Sequence, residues 1–268
     1  MPATDTFKSK YGPWALVTGA ARGLGAEFAR QIAAKGINLV LLDMLDHELS
    51  QTADEVRKSG VQTKTIVTDL SKPDFIQSVR DQTEGLDIGL LVNNAGYGPV
   101  GLFVNRSMDE KLTSVAVNVQ ATLILIHEFA GRMASRGRGG IILLSSASAL
   151  QGSAYVANYA ATKAYNLILA ESLWDELRER GVDVLGFMPG VTRTPGFELS
   201  KAHMERTNLV KPMEAAPTVS EALAALGKKP SHIAGRRNRL TMFMSCKLMP
   251  RKMAIALTGK TMRDLYGD

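Results

Sequence analysis

The chain has 268 residues, of which 45% are hydrophobic and 22% are charged, so it can bury the core of a globular protein. Its single cysteine, Cys246, excludes an internal disulfide and a thiolate metal cluster, and it favours a reducing, cytoplasmic compartment. The four histidines show no ligand spacing, so we expect no metal site. We also expect no signal peptide and no apolar stretch long enough to span a bilayer.

The net charge of +6 is unevenly distributed along the chain. Residues 236–263 contain eight basic side chains and no Asp or Glu. Removing those eight from the 32 basic residues leaves 24 against 26 acidic residues, a charge of −2 for the remainder. The basic character therefore belongs to the C-terminal segment, and nothing in it indicates a nucleic-acid partner.

Short apolar runs alternate with helical patterns along the chain, in the order strand, helix, strand. The predicted strands are 14–17, 38–42, 63–68, 89–92, 141–144 and 182–188, and the predicted helices are 25–35, 46–59, 73–83, 107–134 and the segment from 159 onward. Strands that are apolar throughout indicate a parallel sheet covered on both faces. We predict one α/β domain with a doubly wound, Rossmann-like sheet over the whole of 1–268.

The first predicted strand ends in the sequence TGAARGLG at 18–25, which then opens a helix. Glycines at this position let the backbone approach a pyrophosphate, which a helix N-terminus stabilises. Its candidate cofactor-binding residues are Gly19, Ala21, Arg22, Gly23, Leu24 and Gly25.

The choice between the two nicotinamide cofactors depends on two side chains. Asp43 ends the second strand, where a carboxylate accepts the ribose hydroxyls of NAD and repels the 2′-phosphate of NADP. Arg22 could bind that phosphate instead. We give Asp43 more weight and favour NAD, although a loop or helix-capping carboxylate is a further interpretation of Asp43.

The stretch 145–163 contains Ser146 at a predicted strand end, followed by Tyr159 and Lys163. Positions four apart share one side of a helix, so the tyrosine and the lysine project together. An ammonium beside a phenol lowers the pKa of the phenol, as a general acid or base near neutral pH requires. Taken alone, the pair is better interpreted as a surface helix pair, and the rest of the chain has to decide.

These elements together resemble the short-chain dehydrogenase/reductase family over about residues 12–195. Further matches are Asp69-Leu70, the sequence NNAG at 93–96, Asn118, Pro189-Gly190 and Thr194. The resemblance implies a single Rossmann-like domain, a homodimer or homotetramer, and oxidation of alcohols or reduction of carbonyls with NAD or NADP.

The resemblance also implies roles for individual residues. Tyr159 would exchange a proton with the substrate oxygen, Ser146 would hydrogen-bond that oxygen, and Lys163 would bind the nicotinamide ribose. Asn118 would hold a water that links the lysine to solvent, unless it is a helix-interior Asn satisfied by nearby backbone. The implied cofactor contacts are Asp69 and Leu70 at the adenine, Asn94, Ala95 and Gly96 along the ribose, and Pro189, Gly190, Thr192 and Thr194 at the nicotinamide.

The end of the chain is less familiar. Residues 12–194 form the predicted core, and 195–235 the substrate loop with a last helix and a strand at about Ser231 to Ile233. The basic extension 236–268 resembles that of DltE-like and hydroxysteroid-type relatives. We favour a helix pair that caps the substrate crevice or packs on a partner subunit. Alternatives are a segment resting on an anionic membrane and a tail with solvated charges.

The sequence therefore predicts an NAD-dependent oxidoreductase that acts on an apolar or lipid-like alcohol or carbonyl compound. An NADP-dependent 3-ketoacyl-type reductase is the alternative that Arg22 would support. A non-catalytic sensor of dinucleotides is an alternative of another class, and the complete set of catalytic residues speaks against it.

Overall fold

The computed structural model describes residues 3–199, 202–207 and 211–267. Parts of the predicted substrate loop, at 200–201 and 208–210, lie outside these described residues.

A seven-stranded parallel sheet forms the centre of the protein, in the order β3-β2-β1-β4-β5-β6-β7. All seven predicted strands occur, most of them at an apolar run of the sequence. Their bounds, with the short seventh strand, are β1 Trp14–Thr18, β2 Asn38–Asp43, β3 Thr63–Val67, β4 Ile88–Asn93, β5 Gly139–Leu144, β6 Val182–Met188 and β7 Ser231–Ile233. The predicted doubly wound α/β fold is confirmed.

Eleven α-helices are present in the described part of the chain. They are α1 Ala3–Tyr11, α2 Gly23–Ala33, α3 Asp46–Arg57, α4 Phe75–Thr83, α5 Met108–Val115, α6 Ala121–Arg136, α7 Ala157–Arg178, α8 Pro195–Leu199, α9 Ala215–Ala225, α10 Arg236–Phe243 and α11 Arg251–Tyr266. The sequence did not predict α1, because its polar composition conceals Phe7 and Tyr11, whose rings pack together at 4.6 Å between centroids. A π-helical turn, Ala116–Gln120, joins α5 to α6 within the single helix predicted at 107–134.

Two apolar layers lie on opposite faces of the sheet, as alternation along β1 illustrates. Ala15 and Val17 belong to one layer, which α2 and α9 complete, whereas Trp14 and Leu16 belong to the other, with α4 and α6. Because successive strand residues point to opposite faces, a strand covered on both sides must be apolar throughout. This burial fixes the strands and leaves their polar ends free for ligands.

The segment Met108–Arg136 is long and apolar enough to cross a membrane by length and composition alone, so the expectation that no such stretch exists was wrong. Its apolar residues have another use in this fold. Leu125, Phe129 and Met133 are buried against the sheet, as in the core helix of a globular domain.

The strand order reverses its direction between β1 and β4, which are neighbours in the sheet although β2 and β3 separate them in sequence. Chains leaving two such strands turn to opposite faces, so a crevice opens at their carboxyl ends. The glycine-rich turn follows β1 and the NNAG segment follows β4, which brings both motifs to this crevice.

Candidate active site

The glycine-rich turn after β1 is packed against the turn after β4. Gly19 and Gly23 adopt positive φ angles of 65° and 61°, which side chains with a Cβ rarely tolerate. A Cβ on Gly25 would lie 2.6 Å from Asn94 Nδ2. That amide nitrogen donates to the carbonyl oxygens of Thr18 (2.9 Å) and Gly19 (3.2 Å). The cradle is therefore open only because these glycines lack side chains.

Thr18 is a structural member of the site that the sequence prediction did not single out. Its side chain is fully buried, and its Oγ1 accepts hydrogen bonds from the backbone N–H groups of Asn94 and Ala95, both at 3.0 Å. A threonine at the end of a fully buried strand is the signal that could have identified it, because such a hydroxyl needs partners.

Asp43 ends β2, as predicted, and its carboxylate is held by three backbone donors. Oδ2 accepts from Ala21 N at 3.0 Å, in the glycine-rich turn, while Oδ1 accepts from Met44 N (2.8 Å) and Leu45 N (3.2 Å). The carboxylate therefore does act as a loop acceptor. It also lines a cavity of about 610 Å³, together with Asp69 and Leu70.

Arg22 is exposed at the start of α2 and lines two cavities. One is the 610 Å³ cavity beside Asp43, and the other, of about 850 Å³, contains Tyr159 and Lys163. Arg22 and Asp43 therefore line one cavity, and the opposing cofactor preferences predicted for the two residues concern that cavity.

Lys163 is buried in α7, and its Nζ donates a hydrogen bond to Leu144 O at 2.8 Å, at the end of β5. A second bond fixes the same helix to the same strand end, since Ser145 Oγ donates to Lys163 O at 2.7 Å. The Nζ atom lies 5.7 Å from the centroid of the Tyr159 ring. The predicted pairing of this tyrosine and lysine on one helix side is therefore present.

Burial dominates the protonation of both groups. It raises the pKa of Tyr159, which a hydrogen bond with Ser146 lowers and the nearby Tyr266 raises further. Burial also lowers the pKa of Lys163 to about 8. We expected the lysine to lower the pKa of the phenol, but in this structure burial raises that pKa and the group that lowers it is Ser146.

Ser146 follows β5 and caps a short 3-10 turn, Ala147–Leu150. Its Oγ accepts from Ser148 N at 3.2 Å and from Ser148 Oγ at 2.9 Å. With these two donors directed at its oxygen, the hydroxyl proton of Ser146 is left to donate toward the phenol or a substrate oxygen.

Asn118 lies in the π-helical turn and is fully buried. Its Oδ1 accepts from Tyr97 N (2.8 Å), and its Nδ2 donates to Tyr97 O and Thr162 Oγ1, both at 2.9 Å. The side chain therefore clamps the loop after β4 to α7. The water-holding role stays a prediction, and the amide already has protein partners on both of its polar atoms.

The turn after β6 forms the opposite wall of the larger cavity, to which Pro189 and Thr194 contribute. A Cβ on Gly23 would lie 3.3 Å from Thr194 Cγ2, so this wall reaches the glycine-rich turn. Thr192 Oγ1 donates to Gly190 O at 3.0 Å and stabilises the turn. Pro189 and Thr194 therefore lie in the same crevice as the predicted cofactor contacts of the glycine-rich turn.

The basic extension contributes contacts that the sequence could not locate. Asn238, at the start of α10, packs against Gly190, and its Nδ2 donates to Ala234 O at 2.9 Å. Farther along, Thr258 in α11 accepts a hydrogen bond from Gln151 Nε2, in the loop between Ser146 and Tyr159. The extension therefore packs on both loops that border the substrate end of the crevice.

Two further tyrosines mark that end of the crevice. Tyr155 has a φ of 62°, unusual for a residue with a side chain, and its carbonyl accepts from Gly101 N at 2.8 Å. Tyr266 lies near enough to Tyr159 to act on its charge. Neither position carries a recognisable sequence signal, because distant segments bring them together.

The two cavities share Arg22, Asn94, Gly96 and Tyr97, so they are two parts of one crevice. A Cβ on Gly96 would lie 3.1 Å from Lys163 Nζ, at the boundary between them. An extended ligand with a ring at each end and phosphates at a glycine-rich turn fits this arrangement. The residues present therefore fit a dinucleotide. Among the described residues, no cluster suited to a metal ion occurs.

Comparisons with known proteins identify the family of the chain. Residues 13–205 match the short chain dehydrogenase family. The chain is similar to a 7beta-hydroxysteroid dehydrogenase of Collinsella aerofaciens, with 33% identity over 236 residues, 87% of this chain and 90% of the relative. It is 37% identical to a very-long-chain 3-oxoacyl-CoA reductase of Neurospora crassa over 182 residues, 65% of this chain and about half (54%) of that protein.

Solved structures give the same result. A structure that addresses 7beta-hydroxysteroid dehydrogenase stereoselectivity has a TM-score of 0.87 and 30% identity, covering 94% of this chain and 98% of its own. A short-chain dehydrogenase from Sphingobium yanoikuyae in complex with NADPH has a TM-score of 0.76 and 28% identity, covering 83% and 87%. The likeness to hydroxysteroid-type relatives is confirmed, whereas the DltE-like likeness stays a prediction.

Proposed function

Because the chain belongs to the short-chain dehydrogenase family and is an NAD(P)-dependent oxidoreductase, we propose that Ser146, Tyr159 and Lys163 are its catalytic residues. The observation that carries this assignment is their convergence. One helix turn brings the phenol of Tyr159 and the buried ammonium of Lys163 to the crevice that also contains the glycine-rich turn, and Ser146, after the strand end, hydrogen-bonds that phenol. A sensor without catalysis would not need this arrangement, and we set that alternative aside.

When bound, a nicotinamide cofactor would supply or accept the hydride. The side chains of the protein transfer the proton and stabilise the charge on the substrate oxygen. In the reductive direction, the Tyr159 hydroxyl donates its proton to the carbonyl oxygen of the substrate. Burial raises the pKa of the phenol, so at neutral pH the phenol is protonated and able to donate. Ser146 donates a hydrogen bond to the same oxygen and stabilises the negative charge that develops there.

Lys163 and Asn118 have supporting roles in this chemistry. Lys163 Nζ is anchored by Leu144 O, which leaves its remaining N–H groups for the hydroxyls of a ribose. Asn118 positions the loop at Tyr97, between the two cavities. We propose it as a positioning residue of the active site.

The cofactor would lie along the crevice with its adenine end in the 610 Å³ cavity, beside Asp43, Asp69 and Leu70. We propose NAD as the preferred cofactor. Asp43 is held by Ala21 N and faces this cavity, where a carboxylate favours ribose hydroxyls and repels a 2′-phosphate.

The substrate would be a bulky, largely apolar alcohol or ketone. Two observations support this proposal. The relatives named above act on hydroxysteroids or on very-long-chain 3-oxoacyl-CoA. In this chain the extension packs by Thr258 and Ile255 onto the loop at Gln151 and Gly152, which enlarges the wall of the substrate end. We therefore assign 236–268 to the same domain as the core.

We also propose a homo-oligomer that acts in the cytoplasm. Exposed Leu112, Leu123, Tyr165 and Ile168 lie on α5, α6 and α7, and α5 packs against α7. No charged residue occurs in 112–127, and the only one in 157–170 is the buried Lys163. An uncharged apolar face of this kind suits a second copy of the same face.

Titration of the purified protein with NADH and NADPH, followed by cofactor fluorescence at fixed salt, tests the cofactor assignment. We expect tight binding of NADH and weaker binding of NADPH. A preference for NADPH would assign the selection to Arg22. Turnover of a 7-oxosteroid and of a long-chain 3-oxoacyl thioester, measured with the preferred cofactor, then tests the substrate class.

A further inference from the structure

The outer side of the C-terminal extension exposes large apolar side chains on α10, on the π-helical turn Met244–Leu248 that follows it, and on α11. We call this surface the C-terminal face and define it by six residues that are each 41 to 64% exposed: Leu240, Phe243, Met244, Leu248, Met253 and Leu257. Exposed apolar side chains are normally scattered singly over a protein surface. A cluster of this size therefore indicates an interaction site.

The spacing places these residues on the side of each helix that faces away from the protein. Residues 240, 243, 244 and 248 follow the three- and four-residue steps of a helix, while Ser245 on the other side is buried. In α11, Met253 and Leu257 are four apart, whereas Ala254 and Leu265 are buried. One side of the extension thus packs on the domain and the other faces outward.

The charge around the C-terminal face has one sign. Lys247, Arg251, Lys252 and Lys260 are exposed beside it, and no Asp or Glu occurs between 236 and 263. The rest of the chain carries a net charge of −2. Long basic side chains around exposed Leu, Met and Phe are typical of helices that lie in the interface of an anionic bilayer.

We propose that the C-terminal face binds the surface of an anionic lipid bilayer, with its apolar side chains inserted among the lipids. Charge complementarity favours this partner over a second copy of the chain. A twofold axis through the face would place like charges opposite one another, which destabilises an interface. The uncharged face of α5–α7 is instead the surface that we propose for self-association.

Such binding would place the substrate crevice next to the membrane. Ile255 lies 4.0 Å from the position of a Cβ on Gly152, and Thr258 bonds Gln151, so the inner side of α11 borders the substrate end while its outer side carries the C-terminal face. An apolar substrate dissolved in the bilayer could then enter without crossing water. This step alone rests on the proposed substrate class.

Sedimentation with sucrose-loaded vesicles tests the proposal directly. The full-length protein is mixed with vesicles of phosphatidylcholine alone or of phosphatidylcholine with 30% phosphatidylglycerol, at roughly 0.1 M and 0.5 M salt. We expect at least tenfold tighter binding to the anionic vesicles, weakened at the higher salt. Equal partitioning into both vesicle types, or into neither, would overturn the proposal.

Charge-reversed variants locate the binding surface. The triple variant Lys247→Glu, Arg251→Glu, Lys252→Glu should lose at least tenfold in vesicle affinity. Its matched control is Arg180→Glu, Lys228→Glu, Lys229→Glu, which changes the same charge at exposed positions just before β6 and β7, at the other end of the sheet. An equal loss in both variants would mean that net charge, not this face, determines binding.

A second set of variants tests the apolar side chains. Phe243→Ser with Leu248→Ser changes the C-terminal face, and its matched control is Leu123→Ser with Ile168→Ser on the α5–α7 face. We expect only the first pair to reduce vesicle binding, with NADH binding retained as evidence of folding. If light scattering shows instead that the first pair dissociates an oligomer while vesicle binding is unchanged, the C-terminal face is an interface between copies and the proposal fails. Failure of this proposal leaves NADH binding and turnover in solution untouched.

Discussion

The two halves of the crevice are built in different ways. The cofactor half is made of residues within a few positions of strand ends, and these residues hold one another, as Asn94 and Thr18 do. The substrate half is made of loops and of an extension more than a hundred residues away along the chain, joined by contacts such as that of Gln151 with Thr258. Local sequence therefore specifies the first half, and long-range packing specifies the second.

This difference predicts two classes of effect. Substitutions in the cofactor half should change cofactor binding or chemistry for every substrate, whereas substitutions in the substrate half should change the KM of one substrate and leave the cofactor alone.

The largest effect is expected for Tyr159→Phe, which removes the proton donor and keeps the ring. We expect turnover to fall about 10³-fold, the usual contribution of a general acid. Steady-state kinetics with the preferred cofactor measure this loss. NADH affinity should stay within about twofold, and a comparable loss of affinity would contradict the role assigned to the phenol.

The pH dependence of carbonyl reduction should show the titration of Lys163. Its pKa is about 8 because it is buried, so raising the pH above 8 removes the ammonium from the ribose site. The phenol has a raised pKa and stays protonated over the same range. We expect kcat/KM for reduction to fall by up to about tenfold per pH unit above 8. A profile that is flat to pH 10 would contradict this assignment.

The same lysine should also affect stability, with the opposite dependence on pH. The folded pKa lies below the unfolded value of 10.5, so the unfolded chain binds the additional proton between about pH 8 and 10.5. In that window the free energy of unfolding should rise with pH, by about 3 kcal/mol at most. Urea unfolding of the cofactor-free protein measures it, and Lys163→Met should abolish this contribution.

For cofactor choice, Asp43→Ala should improve NADP binding relative to NAD by about tenfold, since a charged hydrogen bond to a ribose contributes about 1.5 kcal/mol. Competition binding with both cofactors gives the ratio. Asp69→Ala in the same cavity is the matched control, which should weaken both cofactors alike. If the ratio of NADP affinity to NAD affinity is unchanged in Asp43→Ala, then Asp43 serves only as a loop acceptor for the backbone N–H groups of Met44 and Leu45.

The smallest effect is expected in the substrate half, for Thr258→Val. This variant keeps the shape of the side chain and removes the acceptor for Gln151 Nε2. We expect the KM of an apolar substrate to rise about threefold to tenfold, as for one lost hydrogen bond, with cofactor binding unchanged. Thr261→Val, one turn farther along α11, is the control and should change neither constant.

The sequence was sufficient for the sheet, and it singled out residues of the cofactor half that the structure brings together in one crevice. Strands such as 141–144 are apolar throughout because helices cover them on both faces, and that pattern is directly legible. Gly25 and Lys163 can be identified from the sequence because few other residue types could take their places in the glycine-rich turn and beside Tyr159.

Other features depended on information that no local pattern contains. The raised pKa of Tyr159 reflects its burial first, and the electrostatic effect of Tyr266 from the extension raises it further. The π-helical turn at Asn118 interrupts a stretch whose composition is that of a continuous helix. Likewise, the contact of Asn238 with Gly190 joins segments about fifty residues apart. Tertiary packing decides all three.

The mutual support of Thr18, Gly25 and Asn94 has a consequence for how this enzyme can diverge. A side chain at Gly25 would overlap the backbone carbonyl of Gly19 as well as Asn94 Nδ2, and losing Asn94 removes the donor to the carbonyls of Thr18 and Gly19. Because the Gly19 carbonyl is backbone, a second change at Asn94 does not make room for a side chain at Gly25, and a change at either position should be deleterious. The segments 18–25 and 93–96 behave as one inherited unit, and transplanting a new cofactor preference into this scaffold requires exchanging them together.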